Sequence, residues 1–276
     1  FYGKMKIAFQ IDKLSTLKPK TDSTLLIMKE AFKRNFDVWF YYPESLTYES
    51  GKVYAFGCKF DGKQEEVSTK VKLDLDEFNY VFLRQDPPYN MNYLTTTYLL
   101  EKLKTAKVLN NPKSVRDCPE KLFVLDFAKF MPETLITGDE NLIREFWKKH
   151  KQIILKPLYA HGGIGVFYIP EADKNLFNAF RILKENYQNI PMIAQEYIPN
   201  VTKGDKRILF INGEFAGALN RVQAQNYAIS NTAVGGKYEK TTLTKIEKEM
   251  CIEFEPAFKK LGLFLVGIDV IDDKIT

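Results

Sequence analysis

The 276-residue chain is poor in the residues that most often announce catalysis or crosslinking, with 3 cysteines, 2 histidines and 2 tryptophans. Cys58, Cys118 and Cys251 are odd in number and lack C-x-x-C spacing. That argues against a disulfide framework or a zinc site and leaves reduced, partly buried thiols as the expectation. His150 and His161 have no acid or nucleophile at telling spacing, so a Ser/His/Asp triad is not supported. Long apolar runs are missing too. The longest, Gly262 to Ile271, is interrupted by Asp269 and falls far short of the ~20 residues that cross a bilayer, so no membrane partner is expected. The opening Phe1-Tyr-Gly-Lys-Met5 has no apolar stretch of signal-peptide type, and Met5 reads as the natural first residue behind a short remnant. A cytoplasmic protein is the expectation. With 15 glycines and 12 prolines, neither a collagen-like nor a linker-like chain fits.

What is present is a globular profile, 45% hydrophobic, 14% aromatic and 27% charged. A chain of this length buries about three quarters of its unfolded surface in about two core units. The 40 Lys and Arg against 35 Asp and Glu give a net charge of +5, scattered rather than blocked. That hints weakly at anionic ligands and gives no reason to expect nucleic acid.

Hydrophobic periodicity predicts an α/β chain. Lys6 to Ile11 reads as a strand, and Asp22-Ser23-Thr24 caps a helix with Leu25, Met28 and Phe32 on one face. Strands follow at Asp37 to Tyr42, Val53 to Phe60, Asn79 to Leu83 and Lys107 to Leu109, with a helix at Tyr93 to Lys104. This alternation indicates an open parallel α/β sheet over residues 1–118. Beyond it the texture becomes α+β. Helices are expected at Glu120 to Phe130, from Gly138-Asp139 to His150, at Leu176 to Asn186 and at Thr242 to Leu261, the last bent at Pro256. Gln152 to Lys156 runs into a glycine loop and out through Val166 to Ile169, Met192 to Glu196 is a strand, and Asn212-Gly213 turns a hairpin over Lys206 to Leu219. These elements divide into a small lobe, 119–200, and a C-terminal lobe, 201–276. The end, Leu263 to Thr276, reads as a buried strand, an Asp272-Asp273 turn and an unfinished returning strand, so 276 reads as a truncated length.

Several residues carry candidate chemistry. Gly162-Gly163-Ile164-Gly165 lies between two strands, so it is neither a Walker loop nor a dinucleotide fingerprint. It reads as a plain hairpin turn or as a flexible loop folding its amides over phosphate oxygens. Lys156 and Lys121 sit among apolar neighbours, where an ammonium either meets an anion or snorkels to water. Gln195-Glu196-Tyr197-Ile198-Pro199 is a strand end or a hinge whose backbone could read an adenine edge. Alternation places Asp205 and Arg207 on one face. Asp269, alone between Ile268 and Val270, is paired or binds a metal.

Taken in order, Leu83-Arg-Gln-Asp-Pro-Pro-Tyr89, Asn111-Pro-Lys-Ser-Val-Arg-Asp-Cys-Pro-Glu-Lys-Leu-Phe123, Pro132 to Thr137, Ile153 to Leu158, Ala194 to Tyr197, Gly204-Asp-Lys-Arg-Ile208 and Val266-Gly-Ile-Asp-Val270 resemble prokaryotic glutathione synthetase, within the ATP-grasp ligases. The first two segments are the most specific, and the likeness runs from Met5 to the end. It implies an N-terminal open parallel α/β domain, a pre-ATP-grasp domain, followed by an ATP-grasp domain. It further implies that Lys121 and Lys156 bind ATP phosphates, the Gly162-Gly163 loop closes over them, Gln195, Glu196, Tyr197 and Ile198 hold adenine, and Asp205 meets the ribose. Arg207, Arg221 and Asn231 would face the reacting groups, and Asp269 would ligate Mg²⁺ or Mn²⁺, with two further ligands expected after Thr276. The implied substrates are ATP, γ-glutamylcysteine and glycine, and the implied assembly is a homo-oligomer. Two departures stand out: Tyr159-Ala160-His161 where such loops commonly carry Asp-Gly-Met, and Ile229 where an arginine is frequent. They keep open another carboxylate–amine ligase, and the incomplete metal set keeps open a nucleotide-binding protein without catalysis.

Overall fold

A computed structural model describes residues 3–19, 21–63, 69–172, 176–222 and 237–276. The chain divides into two compact units, Phe1–Asp117 with Leu261–Phe264, and Cys118–Lys260 with Leu265–Thr276.

The first unit contains β1 (Lys6–Gln10), α1 (Ser23–Lys33), β2 (Asp37–Tyr41), β3 (Thr47–Glu49), β4 (Lys52–Lys59), β5 (Val71–Asp74), β6 (Tyr80–Leu83), α2 (Met91–Leu100), β7 (Lys107–Leu109) and α3 (Pro112–Asp117). Its sheet runs β3-β4-β2-β1-β6-β7, with β5 also on β4. The four strands β2, β1, β6 and β7 are parallel, whereas β3, β4 and β5 pair antiparallel and extend one edge. Strand alternation sorts the core. Ile7, Phe9 and Ile11 pack with Val38 and Phe40 beneath α1, while Ala8, Val81 and Leu83 pack on the opposite face with Leu100 of α2. Asp22 accepts the Leu25 amide at 2.8 Å and fixes the start of α1. The buried stripe is Leu25, Met28 and Ala31, and Phe32 is 41% exposed. Asn90 caps α2 through the Tyr93 amide, so that helix begins at Met91, before the expected Tyr93.

The second unit opens on α4 (Glu120–Phe123), which tightens into a 3-10 stretch, Val124–Phe130, with a kink at Phe127, so the expected helix over Glu120 to Phe130 is not one α-helix. There follow β8 (Thr134–Thr137), α5 (Glu140–His150), β9 (Ile153–Pro157), β10 (Phe167–Ile169), α6 (Leu176–Asn186) and β11 (Met192–Glu196). Then come β12 (Asp205–Ile211), β13 (Glu214–Val222), β14 (Lys237–Lys240), α7 (Lys245–Leu261), β15 (Leu265–Ile271) and β16 (Lys274–Ile275). Two antiparallel sheets form, β10-β9-β11-β8 and β14-β13-β12-β15-β16. Ile153 and Leu155 face α5 and α6, meeting Ile143, Leu176, Phe180 and Leu183. In the other sheet Phe210 packs on Phe258 of α7 with ring centroids 5.1 Å apart, and Phe254 lies 5.3 Å from Phe258. The helix continues through Pro256. Asp272 and Asp273, both with positive φ, turn β15 into β16, as the sequence pattern predicts.

Candidate active site

Alternation decides what each sheet of the second unit presents. On β9 the buried Leu155 points to the helices, so Lys156 points away from them. On β12, Lys206, Ile208 and Phe210 share the α7 face, and Asp205, Arg207 and Leu209 share the other. Register then supplies the partners: Asp205 stands opposite Arg221 on β13, and Arg207 opposite Asp269 on β15.

These four residues form one chain of alternating charge. Arg207 grips Asp269 bidentately, Nε to Oδ1 and Nη2 to Oδ2, both at 2.7 Å. Arg221 Nη2 also reaches Asp269 Oδ2 at 2.8 Å, and its Nε donates to Asp205 Oδ2 at 2.8 Å. Burial alone would raise the Asp269 carboxyl, but the guanidiniums of Arg207 and Arg221 outweigh it and hold the group below the usual carboxylate range. Burial works against the Arg221 cation as well, and the carboxylates of Asp205 and Asp269 overcome it, so its affinity for the proton rises. Gly204 makes this packing possible. Its φ is +103°, and a Cβ there would lie 2.3 Å from the Arg221 carbonyl oxygen. Asp205 is therefore delivered directly beside Arg221.

Across from this chain lie the two lysines. Burial lowers the Lys156 ammonium to about 8, the Lys121 charge adds to the effect, and Glu120 and Asp269 act against it. Lys156 therefore lies within electrostatic reach of both Lys121 and Asp269. It has no hydrogen-bond or ion-pair partner among the described residues. Lys121 donates to the Ala160 carbonyl at 2.6 Å and lies 3.3 Å from Glu120, which ties it to the mouth of the glycine loop. In that loop Gly162, Gly163 and Gly165 all have positive φ.

The expected adenine segment continues β11. Gln195 is buried and donates from Nε2 to Thr134 Oγ1 at 2.9 Å, so its side chain is taken up inside the sheet. Glu196 is exposed, Ile198 half-buried, and Tyr197 lies 4.4 Å from the Tyr168 ring. The structure thus brings together Lys121, Lys156, Asp205, Arg207, Arg221 and Asp269. Asn231 and Ile229 lie outside the described residues. Among the described residues no cluster of three or more His, Cys, Asp or Glu is placed to hold a metal. No helix among them is long and apolar enough to cross a membrane.

Two features escaped sequence reasoning. Thr134–Thr137 forms the edge strand β8, too short and too mixed to register as a period. Lys206, on the far face of β12, reaches Glu247 Oε2 at 2.6 Å, and Glu247 also accepts the Thr244 amide at 2.8 Å. The Thr244-x-x-Glu247 capping-box spacing was the available signal.

A family model described as the prokaryotic glutathione synthetase ATP-grasp domain matches residues 120–276, and one described as the prokaryotic glutathione synthetase N-terminal domain matches residues 5–116. The chain belongs to the prokaryotic glutathione synthetase family. The glutathione synthetase of Mesorhizobium japonicum is 44% identical over 280 residues, covering 99% of this chain and 89% of that protein. That of Brucella melitensis biotype 1 is 43% identical with the same coverage. Among solved structures, the D-cycloserine synthetase DcsG superposes with a TM-score of 0.68 at 14% identity, over 98% of this chain and 89% of that one. The macrocyclase MdnC of Microcystis aeruginosa MRC superposes with 0.62 at 19% identity, over 98% and 89%. At such identities these two likenesses establish the ATP-grasp fold alone.

Proposed function

We infer that this chain is an ATP-dependent carbon–nitrogen ligase that joins γ-glutamylcysteine to glycine, giving glutathione, ADP and phosphate. The observation that carries this reading is the pairing of two convergent lysines with the Arg207–Asp269–Arg221–Asp205 chain in a protein of the glutathione synthetase family.

The cysteinyl carboxylate attacks the γ-phosphorus of ATP, the bond to the ADP oxygen breaks, and an acyl phosphate forms. The glycine amine then attacks the acyl carbon, the carbon–oxygen bond breaks, phosphate leaves, and the nitrogen loses its proton. Such chemistry asks for positioning and charge neutralisation more than for a protein nucleophile. Lys121 and Lys156 serve as cationic contacts for the ATP phosphates. The amides of the Gly162-Gly163 loop cover the same phosphates, a role that tolerates the Tyr159-Ala160-His161 departure because it uses backbone groups. The extended backbone of Gln195 to Ile198 offers its edge to adenine, and Asp205 accepts from the ribose. Arg207 and Arg221, held in place by Asp269 and Asp205, are assigned to the transferring phosphate and the substrate carboxylate, and Asn231 is assigned to the same reacting groups.

A hard divalent cation, Mg²⁺ or Mn²⁺, takes only one or two protein carboxylates when phosphate oxygens complete its shell. Both oxygens of Asp269 are held by Arg207 and Arg221, so a contact to one guanidinium would have to give way to the ion. Asp269 is the residue that would hold it. When bound, the ion neutralises phosphate charge. Reduced thiol substrates and ATP suit the cytoplasm as the place of action.

ADP release measured with each substrate omitted in turn tests the assignment. Turnover requires all three substrates, and turnover indifferent to γ-glutamylcysteine or to glycine would reject it.

A further inference from the structure

β12 is the middle strand of its sheet, and its two faces carry different work. The front presents Asp205 and Arg207 to Arg221 and Asp269, while the rear presents Lys206 to α7, in register with Val270 of β15. Lys206 Nζ donates to Glu247 Oε2 at 2.6 Å and to the Thr242 carbonyl at 3.0 Å. The roles given to the front face leave this largely buried pair unexplained.

Glu247 belongs to a capping box at the start of α7. Its Oε2 accepts the Thr244 amide at 2.8 Å, and its own amide donates to Thr244 Oγ1 at 3.1 Å. The box is tied on at two sides. Through Lys206 it holds β12, and through the Thr244 hydroxyl, which donates to Asp273 Oδ1 at 2.6 Å, it holds the turn that ends β15. Those are the two strands whose register sets Arg207 against Asp269. A buried ion pair contributes little to stability over an apolar pair of the same size. Its directional hydrogen bonds do what apolar contact does not, because they fix where one element sits along its neighbour. Other links of α7 to the sheet fall elsewhere. Glu255 accepts the Phe215 amide at 3.0 Å near the start of β13, Lys259 meets Glu214 at 3.0 Å, and Phe258 packs on Phe210 without a directional bond.

We propose that the Thr244–Glu247 box is a rear clamp for the reacting face. Lys206, Thr244, Glu247 and Asp273 are positioning residues that keep Arg207 and Asp269 in the register the phosphoryl transfer uses. The proposal rests on the ligase reading for the step it serves, and on the hydrogen bonds alone for the clamp. A displacement of about 1 Å in a strand that carries reacting groups costs up to roughly 100-fold in rate, so the clamp acts on the chemical step beyond its part in folding.

The test separates stability from rate in the full chain. Lys206→Met with Glu247→Leu replaces the pair by apolar side chains of similar size, so this double variant melts at or above the wild-type temperature. Its single-turnover rate of ADP formation with ATP, γ-glutamylcysteine and glycine falls roughly 10- to 100-fold. Thr244→Val, which cuts the box, slows the same step at least about threefold, and Thr244→Ser, which keeps the hydroxyl, restores it. Glu255→Ala, which removes a bond from α7 to β13, leaves the rate unchanged. A folded double variant with the wild-type rate overturns the proposal, as does a Thr244→Val variant no slower than Thr244→Ser. Equal slowing by Glu255→Ala overturns it too, since the effect would then belong to α7 docking in general. Should the double variant fail to fold, the Thr244 series decides. A wild type that forms no ADP marks failure of the ligase reading instead, and hydrogen exchange then decides on the clamp. Thr244→Val speeds deuterium uptake in β12 and β15 more than in β9 and β11, and a uniform change overturns the clamp.

Discussion

Arg207 and Asp269 face each other across antiparallel β12 and β15, joined by two hydrogen bonds of 2.7 Å. The carboxylate proposed for the metal is thus held by the guanidinium proposed for the phosphate, and Arg221 binds it from the other side at 2.8 Å. Replacing Asp269 with Asn leaves two guanidiniums adjacent without their counter-charge. We expect a stability loss of about 2 kcal/mol in urea unfolding, below the roughly 3–5 kcal/mol of a fully buried broken pair because the carboxylate keeps 29% of its exposure. ADP-forming turnover falls roughly 100-fold or more. A variant of wild-type stability would show that the charge chain is not structural.

Lys156 sets a pH dependence. Its ammonium titrates near 8 in the folded protein, below the ~10.4 of an exposed lysine. Between those values the unfolded chain binds more protons, so the destabilisation from Lys156, full below pH 8, fades as pH rises through this window. Phosphate favours the charged form, so ATP binding has the opposite trend. The Kd for ATP by calorimetry should be flat below about pH 7.5 and weaken above 8 by up to about tenfold per pH unit. Lys156→Gln should bind weakly at every pH. A wild-type Kd unchanged from pH 7 to 9.5 contradicts the assignment.

Two glycines of the loop separate strain from crowding. Gly162 has φ +62° with nothing within 4 Å of a built Cβ, whereas Gly165 has φ +74° with Pro157 Cγ and the Tyr187 hydroxyl at 3.1 Å and Leu183 Cδ2 at 3.2 Å. Gly162→Ala carries only the left-handed backbone cost of about 1 kcal/mol, and Gly165→Ala adds steric displacement of the α6 contact. Thermal unfolding should rank Gly165→Ala as the less stable, and equal melting temperatures would contradict the packing.

Glu247 couples α7 to β12 through Lys206 at 2.6 Å and caps the helix through the Thr244 amide. With side-chain exposures of 13% and 3%, this pair is largely buried. Glu247→Ala should cost about 3 kcal/mol because Lys206 is left unpaired, and Thr244→Ala about 1 kcal/mol through the lost cap. Denaturant unfolding of the two variants checks the order.

The sequence made much of this legible where periodicity and turn chemistry act locally. Leu176–Asn186, Met192–Glu196 and Lys107–Leu109 form the expected elements, and Asn212-Gly213 and Asp272-Asp273 turn the expected hairpins. Position along the strand also placed Asp205 with Arg207. The register that sets Arg207 against Asp269, 62 positions away, has no local signature. Nor does the pairing of β4 with β2 on one side and with β5 on the other, whereas β3 and β4 meet locally at the tight Ser50-Gly51 turn. Arg84 could be quoted as part of a motif, but that its guanidinium meets the Thr24 and Ser23 hydroxyls, and no carboxylate among the described residues, is a three-dimensional fact.

The most direct test of the central claim follows oxygen. With both oxygens of the γ-glutamylcysteine cysteinyl carboxylate labelled with ¹⁸O, an acyl-phosphate ligase must place one labelled oxygen in each phosphate released, with glutathione formed in equal amount. Unlabelled phosphate, or ADP formed without glutathione, would contradict the account.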